Sequence, residues 1–189
     1  MNMILHIRNM VCDRCIMVVK QQLENLGFQT EEVVLGRAKI SPEPDADQLS
    51  KISSAFKLLG FELIDDEKKK IVEQIKNIII KWIHHSDLED NPINFPEFLS
   101  DHMHKDYTYL SRMFSESEDT TIERFIIQQK IEKVKELLEY GELNLNEISW
   151  KMGYSSSAHL SAQFKNITGI TPSRFKASDK INRNPIDKI

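Results

Sequence analysis

Apolar residues in the first 66 positions follow two different periods. Short apolar runs, such as Met3 to Ile7, predict four strands, and apolar positions three or four apart predict two helices, the first over Asp13 to Leu26. Gly27 and Gly60 are placed to end the two helices, and Gly36 is placed to turn a hairpin between the middle strands. The resulting order of strand, helix, strand, strand, helix and strand is typical of the ferredoxin-like arrangement.

The remainder of the chain has helical patterning only. Glu67 to His85 carries a broad apolar face and predicts the first core helix of a second domain, and Asp87 to Asn94 reads as a polar loop. The tail from Asn182 is expected to be frayed. Six further helices are predicted over Pro96–His102, Tyr107–Ser117, Thr121–Glu139, Leu145–Met152, Ser156–Thr168 and Pro172–Ala177.

The net charge of −4 is unevenly distributed along the chain. Residues 1–67 hold seven Lys/Arg against eleven Asp/Glu, whereas residues 143–189 hold seven basic residues against three acidic ones. That C-terminal basic excess permits contact with phosphates. A hydrophobic content of 40% and a charged content of 29% indicate a soluble globular chain, and no apolar run is long enough for a bilayer span or a secretion signal. A cytoplasmic location is therefore expected.

The segment from Leu145 to Lys176 has the pattern of a helix-turn-helix followed by a short helix. Gly153 supplies the left-handed turn between two helices. Leu160 and Phe164, four residues apart, attach the second helix to the core, so its opposite face points outward where a recognition helix meets base edges. The candidate DNA-contacting residues on this helix are Ser156, Ser157, Ser161, Ala162 and Lys165.

This segment is similar to the signature of the AraC family, through the pattern Ile148-Ser149, Gly153-Tyr154, Leu160-Ser161, Phe164-Lys165, Gly169, Thr171-Pro172 and Phe175. Upstream, Tyr109 to Phe114 resembles the recognition helix of that family's first helix-turn-helix, and Thr121 to Leu138 resembles the long helix that joins the two halves. The resemblance covers residues 68–178 and implies a double helix-turn-helix domain that binds double-stranded DNA. In the first turn, His104-Lys105 stands where the family usually has Gly.

The resemblance also implies that the first recognition helix presents Thr108, Ser111 and Arg112 to DNA. Arginine forms paired hydrogen bonds to guanine, whereas serine contacts are weaker and less selective. We therefore expect Arg112 and Thr108 to read more of the DNA sequence than the second recognition helix does. Lys165 is expected to meet phosphate or solvent rather than a base.

Cys12 and Cys15, the only two cysteines, follow the first predicted strand in the motif Met10-Val-Cys-Asp-Arg-Cys. This spacing is not a disulfide framework and favours a metal or redox pair in a reducing compartment. At a helix N-terminus, both thiols are expected to have a lowered pKa. Soft thiolates select Cu(I), with Ag(I) and Hg(II) as alternatives, whereas Zn(II) prefers four ligands and only Asp13 lies nearby.

The M-x-C-x-x-C motif in this βαββαβ setting resembles the heavy-metal-associated domain of copper chaperones and metal-transport ATPases. The match spans residues 1–66 and includes the Gly60-Phe61 pair ahead of the last strand, while Asn9 stands where Gly is usual. It implies that Met10 and Phe61 pack beneath the loop and are not ligands. A redox pair, or a domain that now serves only dimerisation, stays open as an alternative.

The fold class is therefore predicted to be α+β, with a ferredoxin-like domain over 1–66, an all-α double helix-turn-helix domain over 67–178 and a tail over 179–189. The predicted function is a transcription regulator that binds a soft metal at Cys12 and Cys15 and transmits the change through the helix that follows the first domain. The chain fits a monomer or a homodimer, with DNA and RNA polymerase as partners and no membrane.

Two other functions stay open at this point. One is a constitutive regulator whose first domain only dimerises or binds a protein, and the other is a metal-delivery protein with a helical docking module. An enzyme is not expected, since the sequence has no nucleophile–base set, no glycine-rich phosphate loop and no three-ligand open metal site.

Overall fold

The computed structural model describes residues 2–86, 94–178 and 183–188. The chain divides into two compact units, Met1–Asn77 and Ile78–Ile189. The predicted loop over Asp87 to Asn94 lies outside the described residues except for Asn94 itself. Within the described residues, no helix combines the length and apolar character needed to cross a bilayer.

The first unit contains a four-stranded antiparallel sheet and two helices, in the strand and helix order predicted above. Its strands are ordered β2-β3-β1-β4, so the first strand lies between the third and the fourth. The assignment to the ferredoxin-like arrangement stays a prediction. The elements are β1 (Met3–Arg8), α1 (Asp13–Asn25), β2 (Gln29–Val34), β3 (Arg37–Ser41), α2 (Ala46–Leu58) and β4 (Glu62–Leu63).

The core of the first unit lies between one face of the sheet and the two helices. Leu5 and Ile7 alternate with His6 along β1, so the two apolar side chains are buried on the same face of the strand. Helices α1 and α2 bury apolar residues at helical spacing against them. The core residues are Leu5, Ile7, Met10, Val19, Leu23, Phe28, Ala38, Ile40, Ile52, Phe56 and Phe61.

Helix α3 (Glu67–His85) begins in the first unit and ends in the second. Its first half packs on the first unit because Glu73 accepts a hydrogen bond from the backbone N–H of Asn9 (3.3 Å) and pairs with Arg8 (3.8 Å). Asn77, which is buried, lies against the hairpin turn at Gly36. The predicted boundary after residue 66 therefore coincides with the start of α3, whereas the compact units divide within it.

Replacing Gly36 with Ala is expected to destabilise the first unit by about 2–3 kcal/mol. Gly36 has φ +80°, and a Cβ there would overlap the side-chain amide nitrogen of Asn77, whose polar atoms have no hydrogen-bond partner. Gly27→Ala is the matched control, because Gly27 has φ +88° with open space around it, and it should cost only about 1 kcal/mol. Urea unfolding of both variants measures the difference, and equal losses would contradict the predicted overlap.

The second unit is helical. The predicted helices are confirmed, each within one residue at either end. They are α4 (Phe95–Met103), α5 (Tyr107–Glu118), α6 (Ile122–Tyr140), α7 (Leu145–Lys151), α8 (Ser157–Thr168) and α9 (Pro172–Lys176), followed by a 3-10 turn at Ile186–Lys188. Helix α6 packs against α5, α7, α8 and α9, so it forms the centre of this unit.

The two helix-turn-helix halves of this unit repeat with an offset of fifty positions along the chain. The N-caps of α4, α5 and α6 correspond at that offset to the N-caps of α7, α8 and α9. These equivalent capping residues are Asn94 and Asn144, Asp106 and Ser156, and Thr121 and Thr171. Leu110 and Leu160 are likewise both fully buried, so the helix N-caps and the positions of α5 and α8 correspond at this offset. The two turns do not, since their left-handed residues, His104 and Gly153, are forty-nine positions apart.

The last described segment returns to α6 through polar contacts. The guanidinium of Arg183 donates to the carboxylates of Glu136 and Glu139 (3.3 and 3.2 Å). Asn184 donates twice to Glu132, from its backbone N–H (3.1 Å) and its side-chain amide (3.2 Å). Glu132 is almost fully buried beneath this segment.

The prediction of a frayed tail is therefore wrong for residues 183–188. Ile186 adds a further contact, since its carbonyl oxygen accepts from the side chain of the buried Gln129 (3.2 Å), which in turn bonds to His84 (2.8 Å). These contacts join positions far apart in sequence, which is why local patterning did not reveal them. The tail positions 179–182 and 189 lie outside the described residues.

Candidate nucleic-acid interface and thiol pair

The first helix-turn-helix consists of α4, a tight turn and α5. His104 ends α4 with φ 50°, so it adopts the left-handed conformation for which glycine was expected. Asp106 then caps α5, because its carboxylate accepts hydrogen bonds from the backbone N–H groups of Thr108 (2.8 Å) and Tyr109 (3.3 Å). Buried residues of α5, with Phe114 fully enclosed, attach the helix to the core.

The opposite face of α5 carries the residues predicted to contact DNA. Thr108 and Arg112, four positions apart, are both exposed, and Ser111 beside them is half-buried. The Arg112 side chain is 68% exposed and lies 4.0 Å from the Glu116 carboxylate, one turn further along the helix. The guanidinium therefore lies at the surface, on the face of α5 that is predicted to contact DNA.

The second helix-turn-helix consists of α7, a turn at Gly153 and α8. Gly153 has φ 69°, as its predicted role requires. Ser156, predicted as the first outward residue of the recognition helix, is instead its N-cap, and its hydroxyl accepts from the backbone N–H of His159 (3.1 Å). The physical reason is that a helix leaves its first N–H groups unpaired, and a serine just before the first turn satisfies one of them.

The outward face of α8 carries the other predicted residues. Ala162 and Lys165 are exposed, and Ser157 and Ser161 are half-buried. Leu160 and Phe164 are fully buried on the opposite face, as the four-residue spacing predicted. The structure thus places all five candidates of the second half on one helix and its N-cap.

His159 was missed by the sequence reasoning, although it lies three positions before Ala162 on the same exposed face. Its ring Nδ1 lies 3.1 Å from the Ser155 hydroxyl, and its edge packs against the Tyr154 ring with centroids 5.4 Å apart. The Tyr154 hydroxyl donates in turn to the Gln163 side-chain oxygen (2.6 Å). Tyr109 is the counterpart of His159 in α5, so each recognition helix has an exposed ring in its first turn.

Lys130 of helix α6 supports the second turn from beneath. Its ammonium group donates to the carbonyl oxygen of Met152 (2.9 Å), the residue that ends α7. It also lies over the rings of Trp82 (5.5 Å) and Tyr154 (5.4 Å). Burial lowers the pKa of Lys130. This contact ties the turn that positions the second recognition helix to the central helix.

The first recognition helix is tied to α6 by a different contact. Tyr107, the first residue of α5, donates its hydroxyl to the carboxylate of Glu123 (2.6 Å) in the first turn of α6. This hydrogen bond lowers the pKa of Glu123, and burial together with Glu123 raises the pKa of Tyr107. The bond therefore forms between a neutral phenol and an ionised carboxylate at neutral pH.

Replacing Tyr107 with Phe is expected to make the free energy of unfolding depend less on pH in the acidic range. Because the pKa of Glu123 is lowered in the folded protein, this bond stabilises the fold at pH values above the ordinary carboxyl pKa. The stabilisation is lost as the pH falls through the lowered pKa of the folded state. Because the bond is exposed, the loss at neutral pH should stay below about 1 kcal/mol. Urea unfolding between pH 3 and 7 measures it, and parallel curves for the two proteins would contradict the assignment.

The two cysteine thiols lie close together at the start of α1. Cys12 is the N-cap, Cys15 is in the first turn, and their Sγ atoms are 3.5 Å apart and not disulfide-bonded. Burial opposes ionisation of Cys12, but hydrogen bonds from Cys15 and Arg14 bring its pKa below the ordinary value. Burial raises the pKa of Cys15, so the prediction of two lowered pKa values is wrong for Cys15, whose thiol is the more enclosed.

The loop before the thiol pair is shaped by Asn9 and Met10. Asn9 has φ 72°, a conformation that asparagine tolerates better than most residues, and its side chain donates to the Gly60 carbonyl oxygen (2.8 Å). Met10 is fully buried and Phe61 nearly so, in the same core cluster. Asparagine thus occupies the position where glycine was expected, and the two predicted anchors lie inside the unit.

The donor set at this loop consists of two sulfur atoms. Among residues 2–86, 94–178 and 183–188, no three His, Cys, Asp or Glu side chains are grouped so that they would hold a metal ion. Two soft, half-exposed thiols at 3.5 Å fit a soft ion of low coordination number, and they do not meet the four-ligand requirement of structural zinc.

Comparison with known proteins agrees with the geometry of the second unit. Residues 99–178 match the family described as "Helix-turn-helix domain". The chain is 32% identical over 128 residues to the Msm operon regulatory protein of Streptococcus mutans, covering 68% of this chain and 44% of that protein. It is 24% identical over 117 residues to the HTH-type transcriptional regulator YdeC of Bacillus subtilis, covering 62% of this chain and 39% of that one.

The same fold occurs in a solved structure. The C-terminal domain of AraT, a response regulator from Geobacillus stearothermophilus, superposes with a TM-score of 0.52 at 24% identity, covering 62% of this chain and 92% of that domain. The chain spans less than half the length of the two relatives from Streptococcus mutans and Bacillus subtilis. With its two helix-turn-helix halves around one central helix, the segment over residues 99–178 matches a helix-turn-helix domain and shares the fold of the AraT C-terminal domain.

Proposed function

We propose that this protein is a sequence-specific DNA-binding regulator of transcription. One observation carries the proposal: two equivalent recognition helices, α5 and α8, each bury one face in the same unit and leave polar or small residues outward at the N-terminal half. Successive major-groove segments on one side of a duplex are about 10 base pairs apart, so two such helices in one chain can bind adjacent segments without a second copy.

The residues divide between base reading and phosphate contact. Arg112 is assigned to a guanine, with Thr108 and Ser111 beside it, because its guanidinium is exposed on the outward face of α5 and arginine has the paired donors that guanine accepts. Ser157, Ser161 and Ala162 of α8 face the second segment. Ser156 keeps its hydroxyl on the helix cap, and Lys165 is assigned to phosphate.

Arg112→Ala tests the proposal. We expect it to weaken binding to the protein's own promoter DNA by about 1–3 kcal/mol and to relax the preference at one base pair. Arg112→Lys is the control, because it keeps the charge but loses the paired donors, so affinity for random DNA should persist while the base preference is lost. The measurement is a titration of promoter and random duplexes at fixed salt. Equal losses of affinity for the two duplexes would make Arg112 a phosphate contact. A wild-type protein that binds the promoter and random duplexes equally well would refute the proposal.

We further propose that Cys12 and Cys15 bind a soft ion, with Cu(I) favoured over Ag(I) and Hg(II) and with Zn(II) least favoured, and that the ion alters DNA binding. The 3.5 Å thiol pair supports this, as does its place at the start of α1, just after β1, in a unit with strand order β2-β3-β1-β4. Cys12 and Cys15 would hold the ion through their thiolates, and Met10 would support the loop from the core. The ion can change DNA affinity only if it binds the DNA-binding state and the non-binding state of the protein with different affinities.

Promoter titrations under reducing conditions, with Cu(I), Zn(II) or chelator, test the response. A several-fold change with Cu(I) that disappears in the Cys12→Ser, Cys15→Ser double variant is expected. Selective DNA binding that no metal changes would favour the constitutive regulator, and metal transfer without selective DNA binding would favour the delivery protein. Both outcomes overturn the metal response, but only the second also overturns the regulator.

A further inference from the structure

The fifty-position repeat places unlike residues at the same point of the two recognition helices. Arg112 of α5 corresponds to Ala162 of α8, and Thr108 corresponds to Ala158. All four are exposed, and within each helix the two are four positions apart, so each pair lies on one face. The equivalence is structural as well as sequential, because the caps of the two helices coincide at the same offset.

The chemistry offered to a base therefore differs between the halves. Arginine presents paired donors that match the two major-groove acceptors of guanine. Alanine presents only a methyl group, which has no hydrogen-bonding capacity and makes its favourable base contact with the C5-methyl of thymine. Helix α5 thus has the donors to select guanine, and the equivalent positions of α8 have none.

The charged side chains of the two helices are distributed to match this difference. In α5, the carboxylate of Glu116 lies 4.0 Å from the guanidinium of Arg112, and a carboxylate is unfavourable near phosphate. In α8 the counterpart of Glu116 is Asn166, and Lys165 stands where α5 has Ser115. Helix α8 contains no Asp or Glu at all, so its outward face favours the DNA backbone more than that of α5 does.

We infer that the DNA site of this protein is asymmetric. The segment under α5 contains a guanine read by Arg112, and the segment under α8 is A·T-rich and read through thymine methyl groups that contact Ala158 and Ala162. This inference rests on the proposed function and deepens it by naming the composition of the DNA. The α8 half supplies affinity through phosphate contacts and apolar fit, and the α5 half supplies most of the selectivity.

Selection of binding sequences from a randomised duplex library tests the inference. We expect one segment with a conserved guanine and, about 10 base pairs away, a segment of A·T pairs. Arg112→Ala should remove the guanine and leave the A·T segment. No enrichment of any sequence would refute the proposed function itself, whereas enrichment of guanine-containing segments on both sides would overturn only the asymmetry.

Two further measurements identify the contacts. Replacing thymine with deoxyuridine in the A·T segment removes only the methyl group, and each contacted methyl should weaken binding by about three- to fourfold. The same replacement outside both segments is the control and should have no effect. If replacing thymine with deoxyuridine in the A·T segment leaves the affinity unchanged, the inferred contact with thymine methyl groups is wrong.

The variant A162R with N166E rebuilds the arginine–carboxylate pair of α5 on α8. Both positions are exposed, so the fold should tolerate the change. We expect the variant to select a new guanine in the formerly A·T-rich segment, with a preference of about five- to 150-fold over adenine. The matched control, N166E alone, should select no guanine. Unchanged selection by the double variant would overturn the equivalence of Arg112 and Ala162 on which the inference depends.

Discussion

Replacing Phe164 with Ala is expected to lower the free energy of unfolding of the second unit by about 3–5 kcal/mol. Phe164 is fully buried at the centre of α8 and packs edge-on against Phe175 of α9, with ring centroids 5.6 Å apart. Removing the ring leaves a cavity where α8 meets α9. Because a domain of this size has a total stability of about 5–15 kcal/mol, a large part of the fold's stability is lost.

Urea unfolding followed by circular dichroism measures this loss, and DNA binding should fall with it as the folded fraction falls. Ile167→Ala is the control on the same helix, because Ile167 is 38% exposed and its removal should cost much less. A loss of less than about 1 kcal/mol for Phe164→Ala would contradict the assignment of Phe164 to the core of the recognition unit.

The second large effect is expected from Glu132→Ala, at about 3–5 kcal/mol. Glu132 and Lys135 are 5% and 6% exposed, and their side chains are joined at 2.6 Å. Removing the carboxylate leaves a buried ammonium group without this partner. It also leaves Asn184 without the acceptor for its backbone N–H and its side-chain amide.

The control is a double variant, Glu132→Met with Lys135→Met, which removes both charges together. Replacing a buried pair with apolar side chains of similar volume is often neutral, so this variant should regain most of the stability lost in Glu132→Ala. Thermal and urea unfolding compare the two. If the double variant is as unstable as the single one, the loss comes from the contacts with the C-terminal segment rather than from breaking the Glu132–Lys135 pair.

Periodicity predicted the helices well because their apolar faces are long and regular. Ile148, Leu160 and Phe164 are buried as their spacing required, and the exposed positions of α5 and α8 follow from the same spacing. Turn geometry was harder. His104 and Asn9 adopt left-handed conformations that sequence rules assign first to glycine. Polar residues can take that conformation when neighbouring contacts favour it, as the bond from Asn9 to Gly60 does.

Long-range polar contacts could not be predicted from local sequence patterns. The bonds from Arg183 and Asn184 to α6 cross more than 40 positions of the chain, so nothing near the C-terminus indicated them. Likewise, the helix N-terminus predicted the lowered pKa of Cys12 but not the raised pKa of Cys15, which depends on how deeply the thiol is enclosed. Ser156 was predicted to be the first residue of the helix, but it is the N-cap, one position before the helix begins.

Helix α6 also fixes the rotation of one helix-turn-helix half relative to the other about the helix axis. It has 19 residues, which at a rise of about 1.5 Å per residue gives a length of about 28 Å. Each residue turns an α-helix by about 100°, so inserting one residue would rotate the second half by more than a quarter turn about the helix axis. Seven residues, close to two full turns, would nearly restore the angle but lengthen the helix by about 10 Å. Insertions and deletions within α6 would therefore change which pairs of DNA segments the chain can bind at once, even where no DNA-contacting residue is altered.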